Sequence, residues 1–315
     1  MSLKQCLVSF GSNLGTRDSA IATAVRALAA KVEVQNFRVS RLYEAPPIGG
    51  PSGQSSFLNG VAVFDTCSRA REVLAWLQAI EQQLGRERQQ RWAARSIDLD
   101  VVLHGSLVGG GDDLSVPHPR YTARRFVLRP ACDIAPDYRD PRFGWTIRQL
   151  ADHLDRGNPS FALAGADEAT RIELCRVLQS EHGIRVFLAA PMPEPMAVIG
   201  TAPVQNRGAI EPSPQTVIDV RDQAAWVSAF VPALPPPGDP LADAPSTPRL
   251  IARIQWVQPE QRWPAPHRIW PSSLNWPEYR LEANDLSWAA SELASALDSM
   301  RCPLAAISED TDWWR

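Results

Sequence analysis

The sequence predicts an α+β fold in two units: a ferredoxin-like α/β sandwich domain over residues 1–160 and a second, smaller α/β domain over residues 161–315. Three observations carry this expectation. Between Cys6 and Val101 the apolar pattern alternates between short strand-like runs and helical spacing. A chain of 315 residues exceeds the roughly 100–200 residues of one domain. Composition also changes in mid-chain: nine of the 28 prolines and three of the eleven tryptophans precede residue 161. The change falls after Arg156-Gly157-Asn158-Pro159, a turn-rich run suited to a domain edge.

Taken in order, Cys6–Phe10 is a short apolar run ending at Gly11 and predicts a buried strand. Ile21, Val25, Leu28 and Ala29 recur at helical spacing from about Asp18, with Thr16 or Asp18 placed to cap the helix start. Val32–Tyr43 reads as extended and stops at Pro46-Pro47, which no helix interior tolerates. Phe57–Phe64 is the next strand. Val73, Leu77, Ile80 and Leu84 form one helical stripe closed by Gly85. Ile97-Asp98-Leu99-Asp100-Val101 alternates with period two, which puts the two aspartates on one face and the apolar residues on the other. In the second half, Arg171–Glu181 and Asp285–Met300 read as helices, and Arg185–Ala190, Thr216–Val220 and Leu250–Val257 as strands. Pro232–Pro248 reads as an irregular loop.

Hydrophobic residues at 44% and charged residues at 21% exclude wholesale disorder. No run approaches the roughly 18 apolar residues of a membrane span, and the N-terminus lacks signal-peptide form. The five cysteines are scattered without a CxxC pair, against a disulfide framework or zinc site and for a reducing compartment. A soluble cytoplasmic protein is expected. Net charge is −3, yet residues 1–160 hold 20 Lys and Arg against 16 Asp and Glu. That excess suits an anionic small molecule and is too small for a nucleic-acid partner.

Chemistry concentrates in Arg86–Asp100. Arginines at 86, 88, 91 and 95 precede Asp98 and Asp100, two carboxylates about 7 Å apart along one strand face. Hard cations such as Mg²⁺ prefer oxygen ligands and keep several waters, while guanidinium groups match phosphate oxygens. The combination points to a Mg²⁺–polyphosphate site; a solvated edge-strand face beside an arginine-rich loop gives the same pattern. His118, flanked by Pro117 and Pro119, is held on extended backbone that presents its ring, though a lone histidine is also a common structural residue. Phe10-Gly11-Ser12-Asn13-Leu14-Gly15 lacks the lysine of a P-loop and, alone, reads as a tight turn with a helix cap.

Together these segments resemble the 6-hydroxymethyl-7,8-dihydropterin pyrophosphokinase (HPPK) family over about residues 4–155. The matching motifs are Phe10–Gly15, Tyr43-Glu44-Ala45-Pro46-Pro47, Phe57-Leu58-Asn59, Glu81, Gly85-Arg86, Arg91–Asp100, Val116–Arg120 and Arg124–Pro130. Ala93-Ala94 stands where the family usually has Gly-Pro, and Phe57 where many relatives have tyrosine. The resemblance implies transfer of a diphosphoryl group from ATP to the pterin hydroxymethyl group, with release of AMP, in folate biosynthesis. It implies that Asp98 and Asp100 bind two Mg²⁺ ions, and that Asp100 lies near the attacking hydroxyl. Arg95, His118 and Arg124 would contact the triphosphate. Arg86 and Arg91 would lie on or beside a mobile loop whose Arg88 and Trp92 close over the substrates, and Gln78 and Glu81 would line the nucleotide side. Phe57 and Phe126 would sandwich the pterin, Asn59 would hydrogen-bond its edge, and Tyr43, Ala45 and Pro47 would supply backbone groups.

Residues 161–315 lie outside the resemblance and contain no G-x-x-x-x-G-K-[ST] loop. Tyr279–Leu286, followed by a helix, faintly resembles the end of nucleoside- and nucleotide-kinase domains. A non-catalytic appendage serving stability or self-association is the favoured expectation. Two rivals compete for the first half. A nucleotidyltransferase uses a Gly-Ser turn and a D-x-D pair, but there the two lie a short helix apart; Ser12 and Asp98 are far more distant. A non-enzymatic binding protein would have lost a metal carboxylate or phosphate arginine, and none is missing.

Overall fold

The computed structural model describes residues 2–50, 53–86, 95–111, 113–187, 224–236, 238–257 and 275–315. The predicted strand Thr216–Val220 lies outside these residues, as does the end of Arg185–Ala190. The fold is mixed α/β, built on an antiparallel and a parallel sheet, with a separate two-stranded ribbon of β6 (Gly109–Gly110) and β7 (Ser115–Val116).

The antiparallel sheet contains β1 (Lys4–Ser12), β2 (Gln35–Val39), β3 (Tyr43–Ala45), β4 (Phe57–Thr66), β5 (Asp98–His104) and β13 (Ala305–Ala306), in the order β13-β3-β4-β1-β5 with β2 also paired to β4. Helices cover both of its faces. On one, α1 (Arg17–Ala29) and α2 (Ala70–Gln83) bury Ile21, Val25, Val73, Leu77 and Ile80 against Val8, Ala62, Leu99 and Val101. On the other, α3 (Arg125–Ile134) lays Val127, Leu128 and Ala131 on Leu7, Val61 and Val63. The single extended segment expected over Val32–Tyr43 is divided between β2 and β3. Thr16 occupies the N-cap position of α1 without a side-chain capping bond.

The parallel sheet contains β8 (Ser160–Gly165), β9 (Arg185–Val186), β10 (Trp226–Ser228), β11 (Leu250–Trp256) and β12 (Glu278–Ala283), in the order β12-β11-β8-β10-β9. It packs with α4 (Ile147–Asp155), α5 (Glu168–His182) and α6 (Leu286–Arg301). One apolar cluster runs from Leu7 and Leu128 through Leu150 to Phe161, Leu281 and Leu293, so α3, α4 and α6 bridge the two sheets. β8 and β10 part where the strand order reverses, the place where open α/β sheets hold ligands. Here Arg171 donates to the carbonyls of Gly165 (3.1 Å), Ala166 (3.0 Å) and Ala229 (2.8 Å). Asp167 caps α5 by accepting from the Thr170 N–H at 2.8 Å.

Beyond α6 the chain returns to the first sheet. β13 pairs antiparallel with β3, and Ile307 N–H donates to Leu42 O at 2.9 Å. Trp313 Nε1 donates to Ser40 O (2.9 Å), and its ring lies 6.3 Å from that of Phe10.

His153, on α4, is buried between Trp145 and Trp276, with ring centroids at 5.0 and 5.2 Å. Its Nδ1 lies 3.4 Å from Arg249 Nη1 and its Nε2 3.0 Å from Arg249 O. That network assigns the neutral ring with its proton on Nε2. Burial, reinforced by the Arg249 charge, lowers its pKa from 6.5 to about 3. An unfolded chain accepts the proton that the folded chain refuses, so this contribution to stability is complete above pH 6.5 and is lost as pH falls towards 3. His153→Gln is therefore expected to flatten the acid limb of stability; parallel melting-temperature curves for the two proteins between pH 4 and 7 would refute this.

Candidate active site

Antiparallel registry builds the site. Tyr43 pairs with Asn59, Asn59 with Gly11, and Gly11 with Asp98, so four residues form one row across β3, β4, β1 and β5. Cross-strand partners share a face. Because Leu99 and Val101 are buried among the side chains of α1 and α2, the alternation of β5 turns Asp98 and Asp100 to the α3 face. Asn59 and Asp98 flank Gly11, two strand spacings or about 10 Å apart. A Cβ at Gly11 would lie 3.1 Å from Asn59 Oδ1. The missing side chain leaves a gap between an amide and a carboxylate.

A cavity of about 140 Å³ occupies this face. β1 and β4 contribute Ser9, Gly11, Phe57 and Asn59. Ala45 lines it from the end of β3, Pro46, Ile48 and Gly49 from the segment that follows, and Phe126 and Val127 from α3. Arg95, Asp98, Asp100 and Arg124 supply its charges. The Arg124 guanidinium also lies over the Phe126 ring, 5.8 Å from its centroid.

Each carboxylate is met by at least one guanidinium group. Asp98 pairs with Arg86 (Nη2–Oδ1 2.6 Å) and with Arg95. Asp100 lies 3.5 Å from Arg124 Nη1 and 3.8 Å from His118 Nε2. Both aspartates remain accessible, at 24% and 36% side-chain exposure, so their oxygens are open to a ligand. Two hard carboxylates on one face beside phosphate-matching guanidinium groups fit a magnesium ion that retains waters and takes further oxygens from a phosphate chain.

Glu81 supports this arrangement from α2. Its Oε1 accepts the Leu99 N–H at 2.7 Å and contacts Arg86, satisfying a backbone donor on an edge strand. Burial raises its pKa from 4.5 to about 6, against the opposing effect of Arg86. His118 is more enclosed than its proline flanks imply, with 16% of the side chain exposed. Burial, then Arg124 and Arg120, hold its pKa well below 6.5. Its Nδ1 accepts the Arg120 N–H at 3.1 Å, which leaves the proton of the neutral ring on Nε2, towards Asp100.

Of the residues expected in the site, Ala45, Phe57, Asn59, Arg95, Asp98, Asp100, Arg124 and Phe126 meet at the cavity. Arg86 and His118 adjoin its carboxylates, and Glu81 stands behind β5. Gln78 is exposed on α2 and is not among the lining residues. Pro47 does not line the cavity, although its neighbours Pro46 and Ile48 do. The Tyr43 side chain turns to Asp133, donating from its hydroxyl at 3.0–3.1 Å. Arg88, Arg91 and Trp92 lie outside the described residues. The Ser12-Asn13 turn has a role that its reading as a helix cap missed. Ser12 Oγ donates to Ser96 O (2.7 Å) and Asn13 Oδ1 accepts the Arg95 N–H (2.8 Å), tying down the approach to β5.

Comparison with known proteins identifies the family. The sequence profile of the family described as 7,8-dihydro-6-hydroxymethylpterin-pyrophosphokinase (HPPK) matches residues 7–136. The 2-amino-4-hydroxy-6-hydroxymethyldihydropteridine pyrophosphokinase of Pseudomonas aeruginosa is 41% identical over 139 residues, 44% of this chain and 85% of that protein. The chain belongs to the HPPK family. A relative of the same name from Synechocystis is 36% identical over 155 residues, 48% of this chain and 78% of its own length. The solved structure of Plasmodium falciparum HPPK-DHPS wild type with pteroate aligns over 63% of this chain and 60% of its own. At 13% identity and a TM-score of 0.40 that likeness is too slight to bear on the fold.

Gly60 stands opposite Phe10 in the β1–β4 ladder, and a Cβ there would meet the Phe10 ring at 2.4 and 2.7 Å. Gly60→Ala is therefore expected to cost about 1–3 kcal/mol by overpacking. Denaturant unfolding tests this, and an unchanged midpoint would contradict the packing described.

Proposed function

We propose that the cavity transfers the diphosphoryl group of ATP to the hydroxymethyl oxygen of 6-hydroxymethyl-7,8-dihydropterin, releasing AMP, as a step of folate biosynthesis. The observation that carries this reading is the row Asn59–Gly11–Asp98, which leaves a gap for a flat ring between an amide and a carboxylate. Family membership supplies the substrate class. Phe57 and Phe126 hold the faces of the pterin bicycle, Asn59 reads its edge, and backbone groups of Tyr43, Ala45 and Pro47 contribute from the segment beside it.

The pterin hydroxyl attacks the β-phosphorus in line. The new O–P bond forms as the bond to the α,β-bridging oxygen breaks, and AMP departs with that oxygen. Asp100 orients the hydroxyl and takes up its proton or passes it to water. Arg95 and Arg124 neutralise phosphate oxygens, and the Nε2–H of His118 donates a hydrogen bond to one of them. Asp98 and Asp100 would hold Mg²⁺, two ions being expected, and the bound metal supplies charge neutralisation along the triphosphate. Arg86 keeps the Asp98 carboxylate aimed, braced by Glu81; Gln78 completes the nucleotide side. Arg88, Arg91 and Trp92 belong to the same reading as the residues that close over both substrates and exclude water.

Residues 1–160 form the catalytic unit in this reading, a ferredoxin-like sandwich with α3 added on its second face. Residues 161–315 form an appended α/β unit. A cytoplasmic location goes with this reading. No helix among the described residues is long and apolar enough to cross a membrane.

With ATP and the reduced pterin the protein is expected to release AMP; release of inorganic diphosphate instead would favour nucleotidyl transfer. Asp98→Ala or Asp100→Ala should lower AMP formation by at least about a thousandfold while the fold persists, and near-normal turnover in either would remove the metal assignment. Gly11→Ala should weaken pterin binding about tenfold by narrowing the gap beside Asn59; calorimetry showing unaltered affinity would refute the placement of the ring.

A further inference from the structure

The chain from His118 to Arg124 carries two groups of the site, His118 and Arg124, and is held from behind by residues beyond the segment that the HPPK profile matches. Arg280 N–H donates to Pro119 O at 3.0 Å, and Thr122 Oγ1 donates to Glu278 O at 2.8 Å. The third anchor is ionic: Arg120 Nε lies 2.9 Å from Glu292 Oε1 on α6. Tyr279 donates its hydroxyl to the same oxygen at 2.7 Å.

Glu292 is an unusual residue for a helix that only fills space. Its side chain is 5% exposed in a largely apolar setting, and its second oxygen, Oε2, is buried without a hydrogen-bond partner among the described residues. A buried carboxylate is costly unless its pairing brings a return. The return here is geometric. The Glu292 pair draws the Arg120 side chain back onto α6 and away from the carboxylates. The same residue's backbone N–H then points at His118 Nδ1, at 3.1 Å. That bond fixes the ring orientation and leaves Nε2 as the proton-bearing atom, 3.8 Å from Asp100 Oδ2. A cavity of about 120 Å³ between α6 and this segment is lined by Arg120, Glu292 and Ser299 and shares Ile48, Arg124 and Phe126 with the substrate cavity. Only a thin wall of side chains therefore separates α6 from the reacting groups.

We infer that Glu292 is a positioning residue for diphosphoryl transfer: through Arg120 it fixes the His118 ring beside Asp100, so the second half of the chain helps to build the active site. The inference rests on the reading of His118 as a donor to the phosphate chain. It assigns Glu292 no contact with substrate.

The test uses the full-length protein and four variants: Glu292→Gln, Glu292→Asp, Arg120→Gln and the Glu292→Gln/Arg120→Gln double. The readouts are kcat, KM for each substrate, affinity for a non-hydrolysable ATP analogue and melting temperature. Glu292→Gln should lower kcat about tenfold while KM for the pterin changes less than about twofold. Arg120→Gln should match it, Glu292→Asp should recover part of the loss, and the double variant should lose no more than either single, because both act through one contact. Wild-type kcat in Glu292→Gln and Arg120→Gln, with a lowered melting temperature, would overturn the inference in favour of a purely structural pair. Arg120→Gln also serves if Glu292→Gln does not fold. His118→Gln separates the two levels. If it loses activity while the Glu292 and Arg120 variants do not, only this inference fails; if it keeps full activity, the reading of His118 fails as well.

Discussion

Asp98 and Asp100 are carboxylates one dipeptide apart on a strand that has a neighbour on only one side, and the site depends on compensating both and aiming them the same way. The period-two alternation of β5 sets their direction, and the apolar residues between and after them lock the register, since a one-residue slip would bury both carboxylates against α1 and α2. Their charges are met by Arg86 and Arg95 on one side and by Arg124 on the other, where the neutral His118 ring also approaches Asp100. Glu81 satisfies the edge backbone between them. These partners come from α2, from the approach to β5 and from the segment before α3, so the pair can form only when three stretches of chain have met.

The second half of the molecule is more closely involved than its separate sheet suggests. β12 and α6 grip the chain that carries His118, while the segment after α6 extends the first sheet beside β3, whose last residue, Ala45, lines the cavity together with Pro46. The parallel sheet itself has an order that places a crevice beside β8. There the loop carbonyls are taken by Arg171 and the start of α5 by Asp167. A phosphate seeking a helix N-terminus would meet a carboxylate instead.

Part of the candidate site was legible because the direction of its carboxylates is written in side-chain periodicity. The D-x-D strand and the stripe of α2 follow from spacing, whereas the aromatic positions 57 and 126 were indicated only by the resemblance to the family. Other features left little trace. β12 is buried on both faces with Tyr279, Arg280 and Leu281 in succession, so it shows no alternation. β13 is two exposed alanines joined to β3 by backbone bonds, to which side-chain patterns are blind. α4 and β8 flank the turn at Gly157-Asn158-Pro159, where breaker residues mask the elements on either side. The contact between Arg120 and Glu292 spans such a distance in sequence that no local pattern signals it. The Ser12-Asn13 turn was visible as a turn, but its bonds to Arg95 and Ser96 become apparent only after β1 and β5 pair.

The return of the chain to β3 also bears on the order in which the protein matures during synthesis. β3 leaves the ribosome early, yet the backbone that flanks it emerges only after α6. Throughout elongation, the nascent first sheet therefore exposes an uncovered border of amide and carbonyl groups beside a half-formed pocket. That border is covered only when Ala305 and Ala306 pair with β3 and Trp313 reaches the Ser40 carbonyl.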